Sequence, residues 1–131
     1  MSNKLDKILA EISAGELIDK ITILEIKKAK ILNKDKLADI EKELSSLNQT
    51  MQEFIPDQAS IKKHISDLKE INLKLWDIED GKRLAEKNND FGETFISLAR
   101  NVYKFNDERA KIKLAINNAL GSNIKEVKSY E

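Results

Sequence analysis

Apolar residues recur along most of this chain at spacings of three and four, the period of one face of an α-helix. Ser13 and Glu16 stand in the S-x-x-E spacing of a capping box, and Ile12 and Leu17 occupy the two positions of a hydrophobic staple. The first main helix is therefore expected from Ala14 to about Leu32. A break at Asn33-Lys34-Asp35 follows, with Asn33 or Asp35 as cap; one bent helix through this point is the alternative. The second helix carries Leu37, Ile40, Leu44, Leu47, Met51 and Phe54, the alternating seam of a coiled coil, and Pro56 ends it. The third is expected from about Gln58, capped by Asp57, to about Lys87. Its seam is Ile61, Ile65, Leu68, Asn72, Leu75 and Glu79. Two seams joined by a short turn predict an antiparallel hairpin of helices two and three. Asp90 and Glu93 form a second capping-box pattern, so the fourth helix is expected from near Phe91 to Leu120, with Gly121 as a left-handed cap. The fold class is all-α: one domain, an antiparallel bundle of four main helices, with residues 1–12 as an arm and 122–131 as a loosely docked polar tail. Helix one is also apolar on a second side, at Ile23 and Ile26. Either it lies at the centre of the bundle or that side forms a homodimer interface.

Several polar residues fall inside the apolar arcs. On helix three these are Asn72, Glu79 and Arg83, beside Leu75 and Trp76. On helix four they are Asn106, Arg109, Lys113 and Asn117, and on helix one Glu25. An unpaired buried charge costs several kcal/mol, so such side chains must pair, hydrogen-bond or face a wet cleft. Glu79 and Arg83, one turn apart, can pair with each other. One reading is an internal ion-pair and amide network that sets helix register in a helical interaction or scaffold module. The other is a cleft between helices three and four, closed by helix one, with Trp76 as an apolar wall. There Arg83, Arg109 and Lys113 would hold a small anionic ligand, since an arginine fork matches carboxylate or phosphate. Asn72 and Asn106 would orient it, and Glu25 and Glu79 are the candidate acid/base groups. Gly81, inside helix three, would admit a backbone or a ligand at close range.

Composition narrows the classes. The 131 residues hold 23 Lys plus Arg against 23 Asp plus Glu, so the chain lacks the basic excess of a nucleic-acid binder. It has one proline and four glycines, which suits helices. It has no cysteine, which fits a reducing, cytoplasmic compartment, and the opening residues do not read as a signal peptide. No apolar run reaches the ~18 residues of a membrane span. The lone His64 cannot form a zinc site without further His or Cys. Glu16 and Asp19 on helix one, with Glu79 and Asp80 on helix three, are the carboxylates that would hold magnesium. That pairing is similar to the one used by the all-helical nucleotide pyrophosphohydrolases, and magnesium-dependent nucleotide hydrolysis is the enzymatic alternative. No other cofactor is expected.

The stretch from Ser13 to Lys27 containing GELIDKITILEIK, the LWDIED of Leu75–Asp80, the segment Phe95–Asn117 containing NDERAKIK, and Glu126–Tyr130 together resemble a family of short all-helical bacterial proteins of unknown function. The resemblance covers most of the chain and is weakest in helix two. It implies no activity. It implies a set of motif positions, namely Glu16, Asp19, Lys20, Glu25, Trp76, Glu79, Asp80, Asn106, Arg109 and Lys113, several of which also break the apolar stripes.

Overall fold

The computed structural model describes residues 4–127. The motif residues Lys128–Tyr130 and the opening Met1–Asn3 lie outside that range. Four α-helices follow in order: α1 (Ala14–Lys30), α2 (Lys34–Phe54), α3 (Lys62–Lys87) and α4 (Glu93–Leu120), with a single 3₁₀ turn at Ala59–Ile61 before α3. Among the described residues there is no strand, and no helix is long and apolar enough to cross a membrane.

The local signals that start and stop these helices act as their chemistry requires. Ser13 Oγ accepts the Glu16 backbone N–H at 3.0 Å. Ile31 turns extended, which breaks the chain between α1 and α2, and Asn33 Oδ1 caps α2 by accepting from Lys36 N. Asp57 Oδ1 accepts from Ala59 N, so it caps the 3₁₀ turn that leads into α3. α4 begins at Glu93, two residues later than the capping-box pattern predicts. The left-handed Asn89 closes α3 in a Schellman turn, with Asp90 N donating to Ala85 O at 2.8 Å. Asp90 Oδ1 is then occupied by Gly92 N. Gly121 is left-handed, as a helix-ending glycine should be.

The predicted hairpin of helices two and three is not the pairing that forms. α2 packs on α1 and α3 packs on α4, while no Cα of α2 lies within 8 Å of a Cα of α3. The register of the α3–α4 hairpin is read from Gly81 against Leu98 and Lys74 over the Phe105 ring. Gly81 therefore serves the contact between helices rather than a ligand. The seam of α2 turns instead to α1. α1 is the central helix, touching all three others, and its buried residues lie on more than one side. On its second side Ile26 is only 2% exposed and Ile23 is half-buried. The main core joins Leu17, Ile18, Ile21 and Leu24 of α1 to Ile40, Leu44 and Met51 of α2, Leu68 of α3 and Ile116 of α4.

The start of α1 is sunk against the end of α4. A helix N-terminus leaves its first N–H groups without intrahelical partners. Here Ala14 N donates to Ser122 Oγ, Gly15 N to Asn117 Oδ1 at 2.6 Å and Glu16 N to Ser13. Ser13 Oγ in turn donates to Glu126, so the described part of the segment after α4 is tied to the start of α1 at Ser122 and Glu126. The approach is close enough to require glycine at position 15. A Cβ there would lie 2.5 Å from the Lys113 carbonyl oxygen. Gly15→Ala should therefore lower stability in urea denaturation by about 1–3 kcal/mol, as overpacking does. Alanine's helix propensity, better than glycine's by about 1 kcal/mol, would otherwise predict a gain. A variant as stable as the parent would show that α1 and α4 do not meet this closely.

Candidate functional site

Asp19 on α1 is the organising residue. It belongs to a stripe with Thr22, Ile23 and Ile26, and is only 1% exposed. Burial opposes its ionisation. Hydrogen bonds from Arg109 and Asn72, and the charges of Arg109 and Lys113, overcome that cost and hold its carboxyl below the usual range. Arg109 of α4 binds it through two nitrogens, Nε to Oδ1 at 2.9 Å and Nη2 to Oδ2. Asn72 of α3 donates Nδ2 to Asp19 Oδ1 and to Thr22 Oγ1, each at 2.9 Å. Thr22 donates its own hydroxyl to the Asp19 carbonyl. One carboxylate thus ties α1, α3 and α4. The bond to Asp19, set against the cost of burial, also holds Arg109 above its usual range.

A second pair flanks the first. Lys113 Nζ lies 2.6 Å from Glu16 Oε2 and 3.7 Å from Asp19 Oδ2. Partial burial raises the Glu16 pKa, but the Lys113 hydrogen bond and charge, with Lys20, outweigh it and leave the group below its ordinary value. Glu16 therefore spends its carboxylate on Lys113.

Beside this network, α1, α3 and α4 enclose a cleft of about 470 Å³. Ile23, Ile26, Leu75 and Trp76 form its apolar wall. Asn72, Asn106 and Arg109 line it together with Lys27, Glu79, Asp80 and Arg83. Two other depressions are larger. The one along α1 and α2, about 750 Å³, presents a single cation, Lys28. The one at the start of α1, about 650 Å³, presents none. Only the central cleft gathers guanidinium, amide and indole groups.

The sequence-derived candidates divide as follows. Asn72, Trp76, Glu79, Asp80, Arg83, Asn106 and Arg109 line this one cleft. Lys113 lies outside its lining, on the Glu16 side of Asp19, and Glu25 is turned to Lys69 at 3.8 Å. Glu79 pairs with Lys82 rather than with Arg83. The four carboxylates considered for magnesium are divided between separate tasks, Asp19 with Arg109 and Glu16 with Lys113, while Glu79 and Asp80 border the cleft. Among the described residues, no three His, Asp or Glu side chains are grouped as a metal site. Lys27 and Thr22 escaped sequence reasoning. Thr22 was legible as a member of the Asp19 stripe; Lys27 gave no signal, being one of several lysines near the end of α1.

Two outcomes follow. Removing one partner of a buried ion pair costs about 3–5 kcal/mol. Arg109→Gln should therefore lower Tm by more than about 10 °C, whereas Glu79→Gln, half-exposed, should leave it within about 2 °C. Equal effects on thermal unfolding would contradict this division. Acid should act through the same network. The folded-state pKa values of Asp19 and Glu16 are depressed, so the unfolded chain binds protons that the folded chain refuses. This stability is then fully present above the ordinary carboxylate range, about pH 4–4.5, and is lost as pH falls through the lower folded-state values. Urea midpoints at several pH values should show this decline, and Asp19→Asn should make it shallower.

No curated protein and no solved structure proved similar to the chain. A family model, described as a family of unknown function (DUF6165), matches residues 8–131, nearly the whole length, and the chain belongs to that family.

Proposed function

We propose that the cleft between α1, α3 and α4 binds a small organic anion. The observation that carries this reading is the state of Arg109. Asp19 holds the guanidinium rigidly by its Nε side, and the Nη1 contact to Asn106 Oδ1, at 3.4 Å, is long. An arginine has five N–H donors, and these three bonds leave two. The residue lines the cleft, and its side chain is 29% exposed. A preoriented guanidinium beside an apolar wall suits binding, because the ordering cost is met during folding rather than at encounter. Arg83 and Lys27 add positive charge, and Trp76 offers an aromatic face. The volume falls in the range of small-molecule sites, about 300–1,000 Å³. The lining charges nearly balance: Lys27, Arg83 and Arg109 stand against Glu79 and Asp80, with Asp19 directly behind. That balance favours a monoanion over a doubly charged phosphate.

Trp76 is the only tryptophan and lines the site, so its fluorescence reports directly on occupancy. Titration with a panel of small carboxylic acids and phosphate monoesters should give a saturable change with at least one acid. Arg83→Gln should weaken that binding several-fold with little change in Tm, since Arg83 is exposed and makes no ion pair among the described residues. If neither Trp76 emission nor Tm responds to any compound of the panel, the reading fails.

A further inference from the structure

We infer that the bound acid carries a hydrogen-bond donor, a hydroxyl or an ammonium, beside its carboxylate. The inference rests on the anion-binding reading above and deepens it. It comes from Asn72, a side chain only 6% exposed at the floor of the cleft.

The orientation of the Asn72 amide is forced by its neighbours. Asp19, paired with Arg109, is ionised, and an ionised carboxylate only accepts hydrogen bonds. The Asn72 atom 2.9 Å from it is therefore the nitrogen. Thr22 spends its hydroxyl proton on the Asp19 carbonyl, so it too accepts from Asn72 Nδ2. Both N–H groups of the amide are then committed, and Oδ1 is left. Among the described residues nothing donates to Oδ1, yet no fully buried side-chain polar atom lacks a partner. Oδ1 therefore keeps accessible surface, and the space that Asn72 lines is this cleft. Asn106 is forced the opposite way. Its Oδ1 accepts from the Arg109 cation, which leaves both hydrogens on its Nδ2.

The polar floor thus presents one acceptor, Asn72 Oδ1, next to several donors, the remaining N–H groups of Arg109 and those of Asn106. A plain carboxylate can satisfy the donors but not the acceptor. A 2-hydroxy or 2-amino acid satisfies both, because its donor sits one carbon from the carboxylate. The wall of Ile23, Ile26, Leu75 and Trp76 suits an apolar remainder on the same molecule.

The test uses three acids of one carbon skeleton: 2-hydroxy-4-methylpentanoate, leucine and 4-methylpentanoate. Each is titrated into the full chain, followed by Trp76 emission and checked by calorimetry. A buried acceptor left without a donor costs enough to weaken binding about tenfold or more. The hydroxy acid or leucine should therefore bind at least about tenfold more tightly than 4-methylpentanoate. Equal or tighter binding of 4-methylpentanoate overturns the inference while leaving anion binding intact. Absence of binding by all three also overturns it, and the panel of phosphate esters then decides whether the anion reading survives.

Discussion

A single buried carboxylate sets the arrangement of three helices. Asp19 enters the interior only as an ion, and an ion there must be matched in charge and hydrogen bonds. Arg109 supplies the charge and Asn72 the further donor, from two different helices. The pairing is directional as well as strong, because a guanidinium fork meets a carboxylate in one plane. Apolar packing alone would let α3 and α4 slide or rotate against α1 with small loss. The Asp19 contacts penalise such a slip, since each leaves a buried polar group unmatched. The docking of α1 against the end of α4 leaves no room for a Cβ where Gly15 meets the Lys113 carbonyl.

The same residues connect stability with the cleft. Arg109 and Asn72 each have an inner edge committed to Asp19 and an outer edge turned to the cleft. A site whose walls are also structural ties is rigid before a ligand arrives, which is what selective recognition of a small molecule requires. The internal network and the proposed ligand cleft, opposed as explanations of the stripe-breaking residues, are thus not exclusive. Asp19, Thr22 and Lys113 belong to the network, Trp76 and Arg83 line the cleft, and Asn72 and Arg109 do both.

Much of this was legible in residue order. The spacing of apolar residues and the caps at Ser13, Asn33 and Gly121 marked the helices to within a few residues, because capping is local chemistry. The double-sided apolar pattern of α1 offered a central position as one of two explanations. The polar residues of α3 and α4 stood out because each lies in an arc where burial has a price. The tie of Asp19 to Arg109 and Asn72 was not legible beside its reading as a candidate magnesium carboxylate, although Thr22, Ile23 and Ile26 share its stripe.

What the sequence by itself determined is therefore the set of helices, the capped ends and the list of polar side chains that must find partners, since all of these follow from period and local hydrogen bonding. Which helices pair was decided only in the folded chain. The seams of helices two and three looked complementary, yet each found a better partner, because α1 had apolar sides to cover and its carboxylate is matched by Arg109 and Lys113 of α4. Partner choice depends on summed burial and charge matching across the whole chain, and no local window of residues contains that sum.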